Sequence, residues 1–201
     1  MQITLAQSCG IAYILSITQE GTPLNKVLRS LFCGAALTGA LTCASLAADF
    51  TPCADTLHSL GLFEGTGSGY ALDRAPTRAE AAVMLVRLLG QEDAARKLTY
   101  TAPFTDLEGW EAPYVQYLYD NKLTTGATAT TFEPKAKCSA QMYTTFLLRS
   151  LGYSDAQNGD FAYTGALDFA ADHVGLIDES FCDTNNFLRD NVAAMSLEAL
   201  A

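Results

Sequence analysis

The tetrapeptide Thr77-Arg78-Ala79-Glu80 opens an apolar run, AAVMLVRLLG, at residues 81–90. Thr77 and Glu80 stand at capping-box spacing. The hydroxyl would accept from the third helical amide, and the carboxylate would reach back to the N–H of the cap. Arg78 then falls on the first helical position, where a cation opposes the helix dipole. A guanidinium beside the open amides of a helix N-terminus suits an anion, because a bidentate fork and several N–H groups converge there. The plain alternative is a solvated arginine, or one paired with a nearby carboxylate. A second arginine, in Leu188-Arg189-Asp190-Asn191, precedes another apolar run and strengthens the anion reading.

Other residue types that could do chemistry fall short of it. His58 and His173 have no Cys partner at ligand spacing, so a metal site is not expected. Asp183-Thr184-Asn185-Asn186 lacks the regular oxygen ligands and closing Glu of a cation loop. The pairs Glu92/Asp93 and Asp178/Glu179 could imitate a glycosidase pair, yet neighbouring acids are common on a chain this acidic. No nucleophile elbow, zinc-helix motif or phosphate-cradling glycine loop is present. The expectation is a binding protein with no cofactor, no metal and no catalytic residue.

The 201 residues carry 22 acids against 12 Lys and Arg, a formal charge of −10. Nucleic acid and anionic membranes are poor partners for such a surface. With 49% hydrophobic residues the chain is globular in type, and a local arginine can still override the field at one site.

The N-terminal part reads as a leader. Asn25-Lys26-Val27-Leu28-Arg29 is basic, Ser30 to Leu46 is apolar and small, and Ser45-Leu46-Ala47 resembles a cleavage site. A membrane span is the competing reading, and the run is marginal for one. A lipoprotein signal is disfavoured by Ala40 three residues before Cys43. The 24 residues ahead of the basic segment make a poor leader start, which suggests initiation at Leu24. Removing residues 1–47 takes away Glu20, Lys26 and Arg29, so 21 of the 22 acids and 10 of the 12 bases remain. Cys53, Cys138 and Cys182 also remain; one bridge or three buried thiols are equally consistent with that number.

The elements that position the arginines recur. PTRAEAAVMLVRLLG at 76–90 superposes without a gap on CSAQMYTTFLLRSLG at 138–152, and LRDNVAAMSLEALA at 188–201 is a third copy. Arg189 meets Arg78, and Met195 meets Met84. Tyr70, Phe132 and Phe181 stand seven residues before the motif positions Thr77, Ser139 and Leu188. Each unit reads as helix, loop, helix. First helices are expected near 54–61, 111–121 and 164–174; second helices are expected near 77–90, 138–151 and 188–200. Linkers are expected near 91–103 and 152–160. Ala82, Leu85, Val86 and Leu89 form an apolar stripe that one small unit cannot bury alone, so the units are expected to share a core. The fold class is mainly all-α. The division is 1–47 leader, then 48–98, 99–153 and 154–201.

Phe104-Thr105-Asp106, Trp110, Pro113-Tyr114, Gly126 and Phe132-Glu133-Pro134 in the second unit, with Thr77-Arg78-Ala79-Glu80 in the first, resemble the S-layer homology module. The resemblance covers residues 49–201. It implies a pseudo-threefold bundle with grooves between modules, in a secreted monomer at the cell surface. It also implies non-covalent binding of secondary cell wall polysaccharide, with the motif arginine on a pyruvate-ketal carboxylate. Arg78 is the arginine expected to bind, helped by Thr77 and Glu80, with Arg189 second. Trp110 and Tyr114 could stack on sugar, though packing is the stronger expectation for both. The second unit has Ser139-Ala140-Gln141-Met142, with neither Arg nor Glu, so its groove is not expected to hold an acidic sugar. Two alternatives stand beside glycan anchoring: a protein-interaction module that has lost glycan binding, and a wall hydrolase.

Overall fold

A computed structural model describes residues 49–176 and 186–201. The readings made for the leader, for Phe181 and Cys182, and for Asp178/Glu179 and residues 183–185 lie outside the described residues. The fold is helical: α1 Thr51–Ser59, α2 Arg78–Leu88, α3 Glu92–Ala95, α4 Ala112–Asp120, α5 Ala140–Ser150, α6 Ala166–Phe169 and α7 Arg189–Glu198. Among the described residues there is no sheet, only isolated bridges at Thr66–Gly69 and Thr77–Lys137. Nor is any described helix long and apolar enough to cross a membrane.

The expected helices are present with shifted ends. α1 begins three residues early, because Pro52 in its first turn needs no N–H partner. α4 carries Pro113 in the same way. α2 and α5 stop before Gly90 (φ 65°) and Gly152 (φ 95°), which turn the chain left-handed. Two expectations need correction. The linker read over 91–103 contains α3, a single turn whose Glu92 is gripped by arginines on both sides. The helix read over 164–174 is a 3₁₀ turn, Tyr163–Gly165, then α6, then a π turn, Ala170–Val174. The π turn ends at left-handed Gly175, and Phe169 and His173 stack in it with centroids 4.9 Å apart.

Burial exceeds the single stripe expected for α2. Ala81, Ala82, Leu85 and Val86 are fully buried, and Ala79, Val83, Met84 and Leu88 nearly so. A helix covered all round shows little amphipathic signal. α5 and α7 are buried in the same way, through Tyr143, Thr144, Leu147 and Leu148 and through Val192, Ala193 and Met195. Each buried Leu stabilises the fold by about 1.5–3 kcal/mol.

The packing is cyclic. α2 lies on α4, α5 on α6, and α7 returns to α1. α2 also touches α5 and α7, and the Tyr143 hydroxyl meets the Ser196 hydroxyl between α5 and α7 at 2.7 Å. α2 is thus covered by α4 and α5 by α6, each later in the chain, while α7 is covered by α1.

Candidate functional site

The three long helices start by different means. At α2 the expected capping box is present: the Glu80 amide donates to Thr77 Oγ1 at 3.2 Å, and the Thr77 amide to Glu80 Oε2 at 2.8 Å. Ser139 caps α5 by accepting from the Met142 amide. Leu188 has no acceptor, and Asn191 Oδ1 holds the Leu188 amide instead. The remaining amides at the start of α2 are not open to an anion. Arg78 N–H donates to the Ala136 carbonyl at 2.9 Å and Ala79 N–H to Pro134 at 3.1 Å. α7 repeats this on the first unit, with Arg189 N–H on Arg74 and Asp190 N–H on Leu72. The loops that receive these amides share a left-handed residue, Ala71 (φ 50°) in one and Glu133 (φ 59°) in the other.

The two motif arginines follow the same geometry. Arg78 Nε donates to the Phe132 carbonyl at 2.7 Å, Nη1 meets Met142 Sδ, and the guanidinium lies 5.0 Å from the Phe132 ring centroid. Arg189 Nε donates to the Tyr70 carbonyl at 2.9 Å, Nη2 to the Glu64 carbonyl at 3.4 Å, and the guanidinium lies 5.4 Å from the Phe63 centroid. Each arginine thus ties its helix to the aromatic loop of another unit. Asp106 holds the Phe132 loop by accepting from the Phe132 and Glu133 amides at 2.8 and 2.7 Å. Arg189 is 4% exposed, and burial lowers its pKa.

A groove of about 500 Å³ opens between α2 and α4. Arg87, Arg96, Arg189, Glu80, Trp110 and Tyr114 line it, with Glu64 and Thr66 at its edge. Glu80 Oε1 and Oε2 accept from Arg74 at 2.5 and 2.8 Å, and Arg189 Nη1 lies 3.9 Å from Oε1. Burial opposes ionisation of Glu80. The Arg74 pair, the Thr77 amide and the Arg189 charge outweigh it and hold the carboxyl at about 2. Behind the opposite wall, Glu92 accepts from Arg87 Nε and Nη2 at 3.0 Å each, from Arg96 Nη2 at 2.7 Å and from the Tyr114 hydroxyl at 2.7 Å. Those donors, Arg87 first, hold Glu92 at about 2 against burial.

The structure brings Glu80, Arg189 and Trp110 into this groove, while Thr77 supports it from the helix end. Arg78 is not among the lining residues; it sits at the Phe132–Met142 junction. Trp110 corrects the packing expectation, since it is 59% exposed with one side on the groove, whereas Tyr114 is 6% exposed and packs as expected. Arg87 and Arg96 were not read as site residues, and Glu92 was read only with Asp93 as an acid pair. Their signal was present: Arg87 stands five residues before Glu92 and Arg96 four after it, which suits an ion-pair network around one helical turn. His58 Nδ1 is bound at the Phe63 carbonyl and His173 is stacked, and the described residues contain no cluster that could hold a metal. Burial pushes the Cys138 thiol up to about 12, so it is inert at neutral pH.

Comparison with known proteins locates part of this fold. Residues 103–139 match the S-layer homology domain. The chain is 30% identical over 121 residues to the middle cell wall protein of Brevibacillus brevis, covering 59% of this chain and 12% of that protein. It is 30% identical over 106 residues to a surface layer protein of Brevibacillus choshinensis, covering 51% and 10%. It is 28% identical over 109 residues to an endoglucanase of a Bacillus species, covering 48% and 12%. The chain thus spans about a tenth of the length of the curated relatives it matches. The matched domain, 103–139, contains Asp106, Trp110, Tyr114 and Phe132, residues that build the groove wall and the loop that receives Arg78.

Proposed function

We propose that the groove between α2 and α4 binds an acidic secondary cell wall polysaccharide and so holds the protein non-covalently at the cell surface. One observation carries the reading: a chain of net charge −10 collects three guanidinium groups and its single, half-exposed tryptophan in one groove. An indole face suits the C–H face of a sugar, and a guanidinium suits a carboxylate such as that of a pyruvate ketal. The names of the two Brevibacillus relatives, a middle cell wall protein and a surface layer protein, agree with a wall location. On this reading residues 48–98, 99–153 and 154–201 are three modules of one secreted monomer, and binding involves neither nucleic acid nor membrane. Thr77 and Glu80 set the groove wall, and Trp110 and Arg189 lie in it.

The reading is of a binding protein, not an enzyme. A glycosidase acid needs a raised pKa. The groove carboxyl Glu80 is instead depressed and locked to Arg74. The similarity to an endoglucanase covers 12% of that protein. The protein-interaction alternative applies to the α5 side, where Met142 takes the place of Glu80. Co-sedimentation of residues 48–201 with purified sacculi, before and after chemical removal of the wall polysaccharide, tests the proposal. Retention should be lost on stripping. Equal retention, or none on either preparation, refutes it.

A further inference from the structure

The resemblance places the anion of the ligand on the motif arginines. The partners of each groove arginine point elsewhere. Arg189 is buried and all three of its nitrogens are engaged: Nε with Tyr70, Nη2 with Glu64, and Nη1 with Met84 Sδ at 3.6 Å. Bringing a ligand to it would break bonds that join α7 to the first unit. Arg87 is also covered, with a side chain 15% exposed, and Glu92 and Glu64 sit on its guanidinium. Arg96 differs from both. Its side chain is 59% exposed, and its Nε and Nη2 both donate to Glu92 Oε1, at 3.2 and 2.7 Å. Beyond Glu92 its guanidinium meets the Tyr114 hydroxyl, and among the described residues no second carboxylate is paired with it, so part of the fork remains exposed to the groove.

The neighbours of Arg96 fix that orientation. Glu92 is shared by two guanidiniums and a phenol, so it cannot swing away with Arg96. Glu64 and Glu92 together offset the charges of Arg87 and Arg96, so what this wall offers an anion is the exposed part of the Arg96 fork. Trp110 lines the same groove and offers an exposed apolar face. A pre-oriented cation beside an exposed aromatic face can meet an acidic sugar with little ordering cost.

Resting on the groove reading above, we infer that Arg96 contacts the anionic group of the bound saccharide, that Glu92 is its positioning residue, and that Arg78 and Arg189 brace the fold without touching ligand. Specificity for an acidic sugar then lies in the short segment after α2, outside the signature tetrapeptide.

The test is a titration of the full chain, followed by Trp110 emission, with pyruvylated wall polysaccharide and with the same polymer after mild-acid removal of the ketal. The unaltered chain should prefer the pyruvylated form. Arg96→Gln should weaken its binding about ten-fold or more and bring the preference close to one, with far-UV circular dichroism unchanged. Glu92→Gln should lower the preference less than Arg96→Gln does. Arg78→Lys, at a residue outside the groove lining, should lower the thermal midpoint while preserving the preference. If Arg96→Gln keeps the full preference, the assignment to Arg96 is wrong and the groove reading survives. If the unaltered chain binds neither polymer, or shows no preference, the reading of the groove as an acidic-sugar site falls, and this inference with it.

Discussion

The faces of α2 and α5 are built on one plan and differ where a ligand would sit. Both helices start at a hydroxyl cap, Thr77 and Ser139. Both place an arginine near the end, Arg87 and Arg149, on an acid just beyond it, Glu92 and Asp155. Both receive an arginine from another unit, Arg189 over α2 and Arg78 over α5. What differs is the charge between these points. Glu80, paired with Arg74, faces Arg189, whereas Met142 faces Arg78. The shared residues are therefore those that hold the fold, and the varied ones are those that set what the groove offers. A signature read as one functional motif separates into a cap, a brace and a groove wall.

The largest expected effect concerns the carboxylates that distinguish the α2 side. Glu80 and Glu92 are both held at about 2, below their ordinary value of 4.5. A carboxyl depressed on folding stabilises above its unfolded pKa, and that stability is lost as pH falls toward the folded pKa. Stability should therefore fall between about pH 4.5 and about pH 2, by about 2–3 kcal/mol for each group after allowing for partial exposure. Urea midpoints measured across that range should show it, and Glu80→Gln and Glu92→Gln should each flatten the curve. A curve unchanged by both substitutions would mean that neither ion pair forms in solution.

Next are the braces. Arg189→Ala removes a buried guanidinium with two carbonyl partners from different parts of the first unit, and should cost about 3 kcal/mol. Arg78→Ala removes a half-buried one with a single carbonyl partner, and should cost about half as much. The ratio of the two losses in chemical denaturation is informative. If Arg78→Ala proves the more harmful, the α5 junction is the stronger link in the cycle, contrary to the burial of the two arginines.

How far these features could be read in advance depends on their range along the chain. The box at Thr77 and Glu80, the proline-led starts of α1 and α4, and the glycine stops after α2 and α5 are local, and residue order alone announces them. The destinations of Arg189 are not local: its carbonyl partners lie 119 and 125 residues earlier. No spacing rule links Arg189 to Tyr70, so residue order alone does not announce the contacts that Arg189 makes. Trp110 misled for a related reason. Large aromatics usually pack, and only the placement of the loop before α4 leaves this one half open. The triad of Arg87, Glu92 and Arg96 was legible, because its members lie within a few residues of one another, but the acid pair Glu92/Asp93 drew attention to charge and away from spacing.

The caps test whether the plan is shared in energy as well as in geometry. Thr77→Ala and Ser139→Ala should each cost about 1 kcal/mol. The bond to the Glu80 carboxylate is donated by the backbone amide of residue 77, which Thr77→Ala keeps, so the acid sensitivity described above should persist in both variants. A flattened pH profile in Thr77→Ala alone would show that the hydroxyl cap is needed to hold the Glu80 carboxylate in place.

The smallest effect lies where the long helices meet. Thr144 is fully buried in α5, and its hydroxyl has no hydrogen-bond partner among the described residues. At the matching points α2 and α7 carry Ala82 and Ala193, also fully buried. An unpaired buried hydroxyl costs more than an apolar group of the same shape, because water has been removed from it and nothing replaces the lost bond. Thr144→Val keeps the β-branch and volume while deleting that unpaired oxygen. It should raise stability by about 0.5–1 kcal/mol, read as a higher thermal midpoint with groove binding unchanged. Thr144→Ala would match the other two helices but leave a methyl-sized gap, offsetting most of the gain. A loss of stability in Thr144→Val would show that the hydroxyl makes a bond in solution, and that the α5 core is specified by polarity where the other two helices rely on size.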